Sequence, residues 1–210
     1  MNQEEVWDKI APLWDEYKVK VEVEVDYKKN LVKEFISNEK GNILDLGCGS
    51  GRNFFKVKGN FYGVDFSQKM LDLAEKNIKK NNLSIKLIKA NLWETDFEND
   101  FFDKIIFMAS LHCIHDSKKR KKSLKESYRI LKSGGKMLIT VWNKGNKRWK
   151  NKDKLVFSGW NLSDEKLKRE YYLYDEKELI SELENVGFKI FKKYSNEDSR
   201  NIVVVVTKSL

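Results

Sequence analysis

The chain has 210 residues, 40% hydrophobic and 35% charged, which suits a single domain over 1–210 with a full core and excludes a disordered or fibrous chain. No stretch approaches the roughly 20 apolar residues of a membrane span, and Met1–Ala11 lacks the basic-then-apolar order of a secretory signal, so a cytoplasmic protein with no membrane partner is expected. The formal charge of +9 suits a polyanionic partner and equally a lysine-rich genome, and Cys48 and Cys113 show no metal-ligand spacing, so reduced thiols and no bound metal are expected.

Asn2 and Glu5 form a capping box for an initial helix with Val6, Trp7, Ile10, Leu13 and Trp14 at helical spacing, which Pro12 should kink or restart. Val19, Val21, Val23 and Val25 alternate with polar residues, a period of two that stays unassigned because a helical pattern, Leu31, Val32, Phe35 and Ile36, follows directly. Gly41 stops that helix. Asn42–Leu46 then reads as a buried strand, Phe61–Asp65 as a second, and Met70, Leu71, Ala74 and Ile78 as one face of a helix. Ile85–Ala90 is a third strand and Lys104–Ala109 a fourth. Leu124, Tyr128 and Leu131 mark a helix ended by Gly134 and Gly135, followed by a fifth strand, Lys136–Trp142.

From Asn143 to Arg169 no clean period survives, and charged residues interleave with Trp149, Phe157 and Trp160. This predicts a basic and aromatic surface insertion over about 143–170. Asp175 and Glu178 then form a second capping box, Leu179, Ile180, Leu183 and Val186 an apolar stripe, Gly187 its stop, and Phe188–Tyr194 and Asn201–Thr207 the last strands. Strands alternating with helices in this way predict an α/β fold with a mostly parallel sheet.

The sequence Asp45-Leu46-Gly47-Cys48-Gly49-Ser50-Gly51 follows a strand and is expected to open a helix, where a backbone must approach a ligand with no Cβ in the way. A dinucleotide fingerprint would need its third glycine where Arg52 stands, which disfavours NAD. Asp65 ends the second strand roughly 20 residues on, where a carboxylate can accept bonds from both ribose hydroxyls of an adenine nucleoside, with Phe66 beside it to pack on the base.

These residues resemble the class I S-adenosylmethionine-dependent methyltransferases: Ile43 through Gly51 match the first motif, Gly63-Val64-Asp65-Phe66-Ser67 the second, and Leu131-Lys132-Ser133-Gly134-Gly135-Lys136 the turn before the fifth strand. The resemblance implies a Rossmann-like, seven-stranded, mostly parallel sheet in the order 3-2-1-4-5-7-6 with helices on both faces. It also implies S-adenosylmethionine as cofactor, held by Gly47, Gly49 and Gly51 with Cys48 in the same turn and Asp45 as an orienting acid. Asn91, where the family usually carries Asp, and Leu92 would meet the adenine edge, and Ala109 and Ser110 would lie by the transferable methyl.

Ile10-Ala11-Pro12, Ala109-Ser110-Leu111-His112, Leu138 through Trp142, Tyr171 through Leu179 and Ile202 through Val205 are similar more narrowly to the tRNA wobble-uridine carboxymethyl methyltransferases. That resemblance implies tRNA as partner and a small zinc-binding activator protein that would add to the edge strand 85–90. A carboxylate acceptor is already charged, so it needs alignment and water exclusion more than a base. His112 is the side chain best placed to orient it, with His115 a loop residue, and Arg52, ahead of Lys18, offers a fork for the carboxylate. The basic run Lys118–Lys122 and the Lys144–Trp160 segment mix cations and rings in a way that suits RNA, or else a solvated face. The competing readings are a methyltransferase of a small metabolite and a catalytically silent cofactor-binding subunit.

Overall fold

The structure, a computed structural model, describes residues 2–18, 30–161, 166–194 and 199–209, so the alternating valines at 19–25 lie outside the described residues. Helix α1 is Gln3–Lys18, and α2 is described over 30–36. Then follow β1 (Asn42–Leu46), β2 (Asn60–Asp65), α3 (Gln68–Lys80), β3 (Ile85–Lys89), β4 (Phe102–Met108), α4 (Ser117–Ile130), β5 (Leu131–Trp142), β6 (Leu155–Asn161), β7 (Lys166–Tyr172), α5 (Glu176–Val186), β8 (Phe188–Lys193) and β9 (Asn201–Lys208).

The central sheet has seven strands in the order β3-β2-β1-β4-β5-β9-β8, with β9 antiparallel to both neighbours and the remaining pairs parallel. This is the Rossmann-like order that the resemblance implied. Its central strands are buried on both faces, and side-chain alternation divides the core in two. Leu44, Leu46, Ile105, Phe107, Met137 and Ile139 meet Leu124, Leu179 and Leu183 of α4 and α5 on one side. Ile43, Ile106 and Leu138 meet Leu31, Val32 and Ile36 of α2 and Leu71 and Ala74 of α3 on the other.

Local signals set the helix ends. Ser67 caps α3 by accepting from the Met70 N–H, Asp116 caps α4, and the Asp175–Glu178 box opens α5, which Gly187 closes at φ +112°. The first capping box forms as read, with the Glu5 N–H donating to Asn2 Oδ1 at 2.9 Å and the Asn2 N–H to Glu5 Oε2 at 3.1 Å.

Four local expectations are corrected. Helix α1 continues unbroken through exposed Pro12 and does not restart there, with Val6, Ile10 and Ala11 anchored in packing. Helix α4 ends at Ile130, before Gly134 and Gly135, because buried Leu131 turns extended and pairs with Phe102; the register shift between Phe102 and Lys104 then absorbs the glycines. The glycine turn opens no helix. Two tight turns, Gly51 N–H to Cys48 O and Phe54 N–H to Gly51 O, lead into irregular chain, where Phe54 packs edge-on to Phe61 and draws the short connection down onto β2.

The fourth correction concerns 143–170. A short 3₁₀ turn, Lys147–Trp149, precedes an antiparallel hairpin of β6 and β7 that forms its own two-stranded sheet. Leu167, Arg169 and Tyr171 of β7 are buried while Lys168 is exposed, so the period of two is present but an arginine occupies one of its inward positions. The hairpin is fastened at two places: Leu167 packs with Val6 and Ile10 of α1, and Val156 and Tyr171 with Trp149 and Leu173.

Candidate active site

In an open α/β sheet, ligands bind beyond the carboxyl ends of the strands where the winding reverses, which here is between β1 and β4. The glycine turn leaves β1 at that point. Gly47, Gly49 and Gly51 have φ of +83°, +52° and +77°, which side chains rarely adopt. Their surroundings differ. A Cβ on Gly47 would stand 2.4 Å from Ser110 Oγ, and one on Gly51 2.5 Å from the Phe54 ring, whereas one on Gly49 would meet nothing. Gly47 thus sets the junction with β4 and Gly51 packs on the core, leaving Gly49 as the glycine that faces the open cleft.

Two buried carboxylates flank the turn. Asp65 Oδ2 accepts from the Gly49 N–H at 2.8 Å and Oδ1 from the Ser67 N–H at 3.0 Å, tying the end of β2 to the glycine loop. Burial raises its pKa to about 6 against these stabilising N–H groups, with the charge of Asp8 adding to the rise. Asp45 is fully buried and accepts from Asn53 Nδ2 at 3.1 Å; burial lifts it to about 7, the amide opposes the rise, and the charge on Asp65 adds to it. Cys48 is buried between them, and its thiol is pushed well up by burial and then by the two carboxylates, so it stays a packed, protonated group.

The β4 end completes the cradle. Ala109 has φ +55°, an unusual value for a residue with a Cβ, and its N–H donates to Thr140 Oγ1 at 3.0 Å. Ser110 Oγ donates to Gly47 O at 3.0 Å, locking this bend to the glycine turn, and buried Leu92 also lies against Gly47. Phe66 is half-buried after Asp65, and Asn91 is exposed in a short bridge to Glu94. The arrangement fits an adenosyl and aminoacyl ligand: an acid at the β2 end, an open glycine, a second buried acid, and the Ser50 hydroxyl, buried without a hydrogen-bond partner among the described residues.

From Ser110 the 3₁₀ turn Leu111–Cys113 carries His112 away from the cradle and under the hairpin. His112 is 1% exposed and stacks on Trp142, with centroids 5.0 Å apart, and tilts against Tyr171 at 5.7 Å. Trp142 also stacks on Tyr171 at 4.3 Å and on Trp149 at 5.2 Å, making a ladder of four rings. Arg148 lies over Trp149, and Lys144 donates to the Trp149 carbonyl. His115 is half exposed and meets Glu170 of β7 at 2.7 Å, so it serves as a hairpin tie.

Other calls change position. Arg52 lies half-buried in a turn beside Asn53 and does not start a helix. Arg120 leaves the basic run altogether: it is buried, donates to the Ile114 and His115 carbonyls, and covers the Tyr172 ring at 3.8 Å. The side chains of Lys18 and Trp160 lie outside the described residues. The sequence reading missed Asn53 and also Asp8, whose Oδ1 accepts from Ser67 Oγ and from the Lys69 N–H.

Residues 44–139 match the family model described as a methyltransferase domain. The chain is 30% identical over 211 residues to the uncharacterized protein MJ1252 of Methanocaldococcus jannaschii, covering 90% of this chain and 77% of that protein. It is 28% identical over 141 residues to the demethylmenaquinone methyltransferase of Listeria welshimeri, covering 63% and 58%. An S-adenosylmethionine-dependent methyltransferase from Clostridium acetobutylicum shares the fold at a TM-score of 0.71 and 21% identity, over 97% of this chain and 99% of that one. With the matched segment spanning the glycine turn, Asp65 and the β4 bend, the chain belongs to the class I methyltransferases, enzymes that use S-adenosylmethionine.

Proposed function

We propose that the enzyme methylates tRNA, esterifying the 5-carboxymethyl group of wobble uridine. The observation that carries this reading is the ring ladder of His112, Trp142, Tyr171 and Trp149, one short turn from the β4 bend and rimmed by Lys144, Lys147, Arg148 and Lys150. The rings pack on one another and so form a rigid base for the exposed cations Lys147, Arg148 and Lys150, an edge that suits the phosphates of an anticodon loop. When bound, S-adenosylmethionine supplies a sulfonium methyl, and a carboxylate oxygen forms the new C–O bond as the S–CH3 pair stays on sulfur, with no proton to remove. The chain's own contribution is therefore alignment: the Gly47–Ser110 lock fixes the β4 bend, and His112, buried and stacked on Trp142, fixes the turn that follows it and so the mouth through which the acceptor would enter.

Labelled S-adenosylmethionine, incubated with the enzyme and with unmodified or carboxymethylated tRNA, tests this. Label is expected in the methyl ester of the carboxymethylated nucleoside alone; label in neither RNA overturns the proposal. A second reading, methylation of a small planar metabolite, is favoured by the likeness to a demethylmenaquinone methyltransferase and would leave activity indifferent to Lys147, Arg148 and Lys150. The same proposal seats a small zinc-binding activator on β3, an edge strand whose outer backbone groups can extend the sheet. Leu87→Pro should then abolish the complex in a co-purification assay, and a complex that survives it rules this seat out.

A further inference from the structure

The connection from β3 to β4 passes beside the cofactor cleft. The Ala90 N–H donates to the Asp65 carbonyl at 3.1 Å, a tight turn closes from the Glu94 N–H to the Asn91 carbonyl at 3.2 Å, and the buried Leu92 side chain lies against Gly47. Residues 90–95 therefore border both the acid and the glycine turn. A nucleoside whose ribose lies at Asp65 brings its base, joined directly to that sugar, within reach of this segment. The Leu92 N–H has no hydrogen-bond partner among the described residues, so a backbone donor stands there for a ring nitrogen.

Lys119, Glu126 and Arg129, along one face of α4, grip the segment from outside. Glu126 is 9% exposed, and its Oε1 accepts from the Thr95 N–H at 2.9 Å and from the Thr95 hydroxyl. Arg129 holds both oxygens of Glu126, with Nε at 2.8 Å and a terminal nitrogen at 2.7 Å. It donates onward to the Thr95 and Phe97 carbonyls and to Asn99 Oδ1. Lys119 stands over the Trp93 ring at 4.5 Å. Burial works against a charge on Glu126, yet the bonds from Arg129 and Thr95 hold its carboxyl below the usual range, so it stays ionised and keeps both Thr95 bonds.

We propose that Glu126 is a positioning residue for the cofactor: through Thr95 it fixes residues 90–95 against the adenine ring and so gives the site its selectivity among bases. This is independent of the acceptor reading above and holds for any methyl acceptor. Adenine offers an unprotonated ring nitrogen, N1, where hypoxanthine carries a hydrogen. A rigidly held N–H is satisfied by the first and left facing another donor by the second. A segment free to shift would turn its donor away from that clash, and the distinction between the bases would fade. Glu126 thus acts through Thr95 and not by contact with the ligand.

The test measures, by titration calorimetry on the full chain, binding of S-adenosylhomocysteine and of S-inosylhomocysteine, its hypoxanthine counterpart. Wild type is expected to bind the adenine compound about tenfold more tightly or better. Glu126→Ala should reduce that preference to about threefold or less, and Glu126→Gln, which keeps an acceptor for the Thr95 N–H, should recover part of it. Thr95→Val removes the hydroxyl bond alone and should lower the preference about twofold, so it decides the matter if Glu126→Ala does not fold. A Glu126→Ala chain that binds both compounds more weakly but with the wild-type preference has lost stability in general, and that result overturns the proposal. A preference unchanged in Thr95→Val overturns it as well. So does equal binding of the two compounds by wild type, which would mean that no part of the segment reads the base.

Discussion

Asp65 bonds both the glycine loop and its own following turn through backbone N–H groups. A carboxylate has room for further donors, so ribose hydroxyls can join without displacing either bond. Asp65→Ala is expected to weaken S-adenosylmethionine by about 1–3 kcal/mol, measured by titration calorimetry. The raised pKa values of Asp65, about 6, and Asp45, about 7, carry a sign. Each folded value lies above the unfolded one, so their contribution to the stability of the cofactor-free chain is full below about pH 4 and is lost as pH rises through about 6–7. Binding runs the other way, since a cationic ligand favours the ionised carboxylates. Cofactor affinity should rise between about pH 5.5 and 7.5, and Asp45→Asn should flatten that rise. Gly47→Ala places a Cβ against Ser110 at positive φ and is expected to lower stability by about 1–3 kcal/mol in urea unfolding.

At the scale of elements, α1 and the β6–β7 hairpin act as two walls fastened to each other and to the cradle. Asp8→Ala removes bonds to Ser67 and Lys69 at the start of α3 and should cost about 1 kcal/mol of stability by the same assay. Replacing Lys147, Arg148 and Lys150 together by Ala should flatten the salt dependence of tRNA affinity by about 0.7 in log–log slope for each phosphate contact removed, read by filter binding at graded salt. The central strands were legible in the sequence because burial on both faces writes continuous apolar runs such as Ile105–Met108. The helix caps were legible because they are local. The hairpin was not, since Arg169 interrupts its inward face, and the expected helix after the glycine turn failed because Phe54 and Phe61, not the turn, decide where that connection goes. In the site, the glycines and Asp65 could be read from strand ends. Asp8 and Asn53 reach their places only through tertiary packing, and no spacing along the chain announces them.

Over the whole molecule, a charge of +9 should make tRNA affinity fall steeply with salt while cofactor affinity, set by short buried contacts, changes little. Calorimetry with each ligand across the same salt series separates the two. The connection between β1 and β2 bears on a different matter, the choice among adenine ligands. With tight turns and then irregular chain where a helix would begin, the loop has no stack of aligned peptide dipoles behind it. Nucleotide sites commonly recruit that stack to hold a di- or triphosphate. Here two buried acids stand at the same place, so phosphate meets repulsion without compensation. The cleft should therefore sort adenosine compounds by the sign of what they carry at the 5′ end: S-adenosylhomocysteine should compete strongly with the cofactor, adenosine weakly, and ATP more weakly than adenosine. Competition by ATP at or above the level of adenosine would mean that the turn has retained an anion-binding character its backbone does not display.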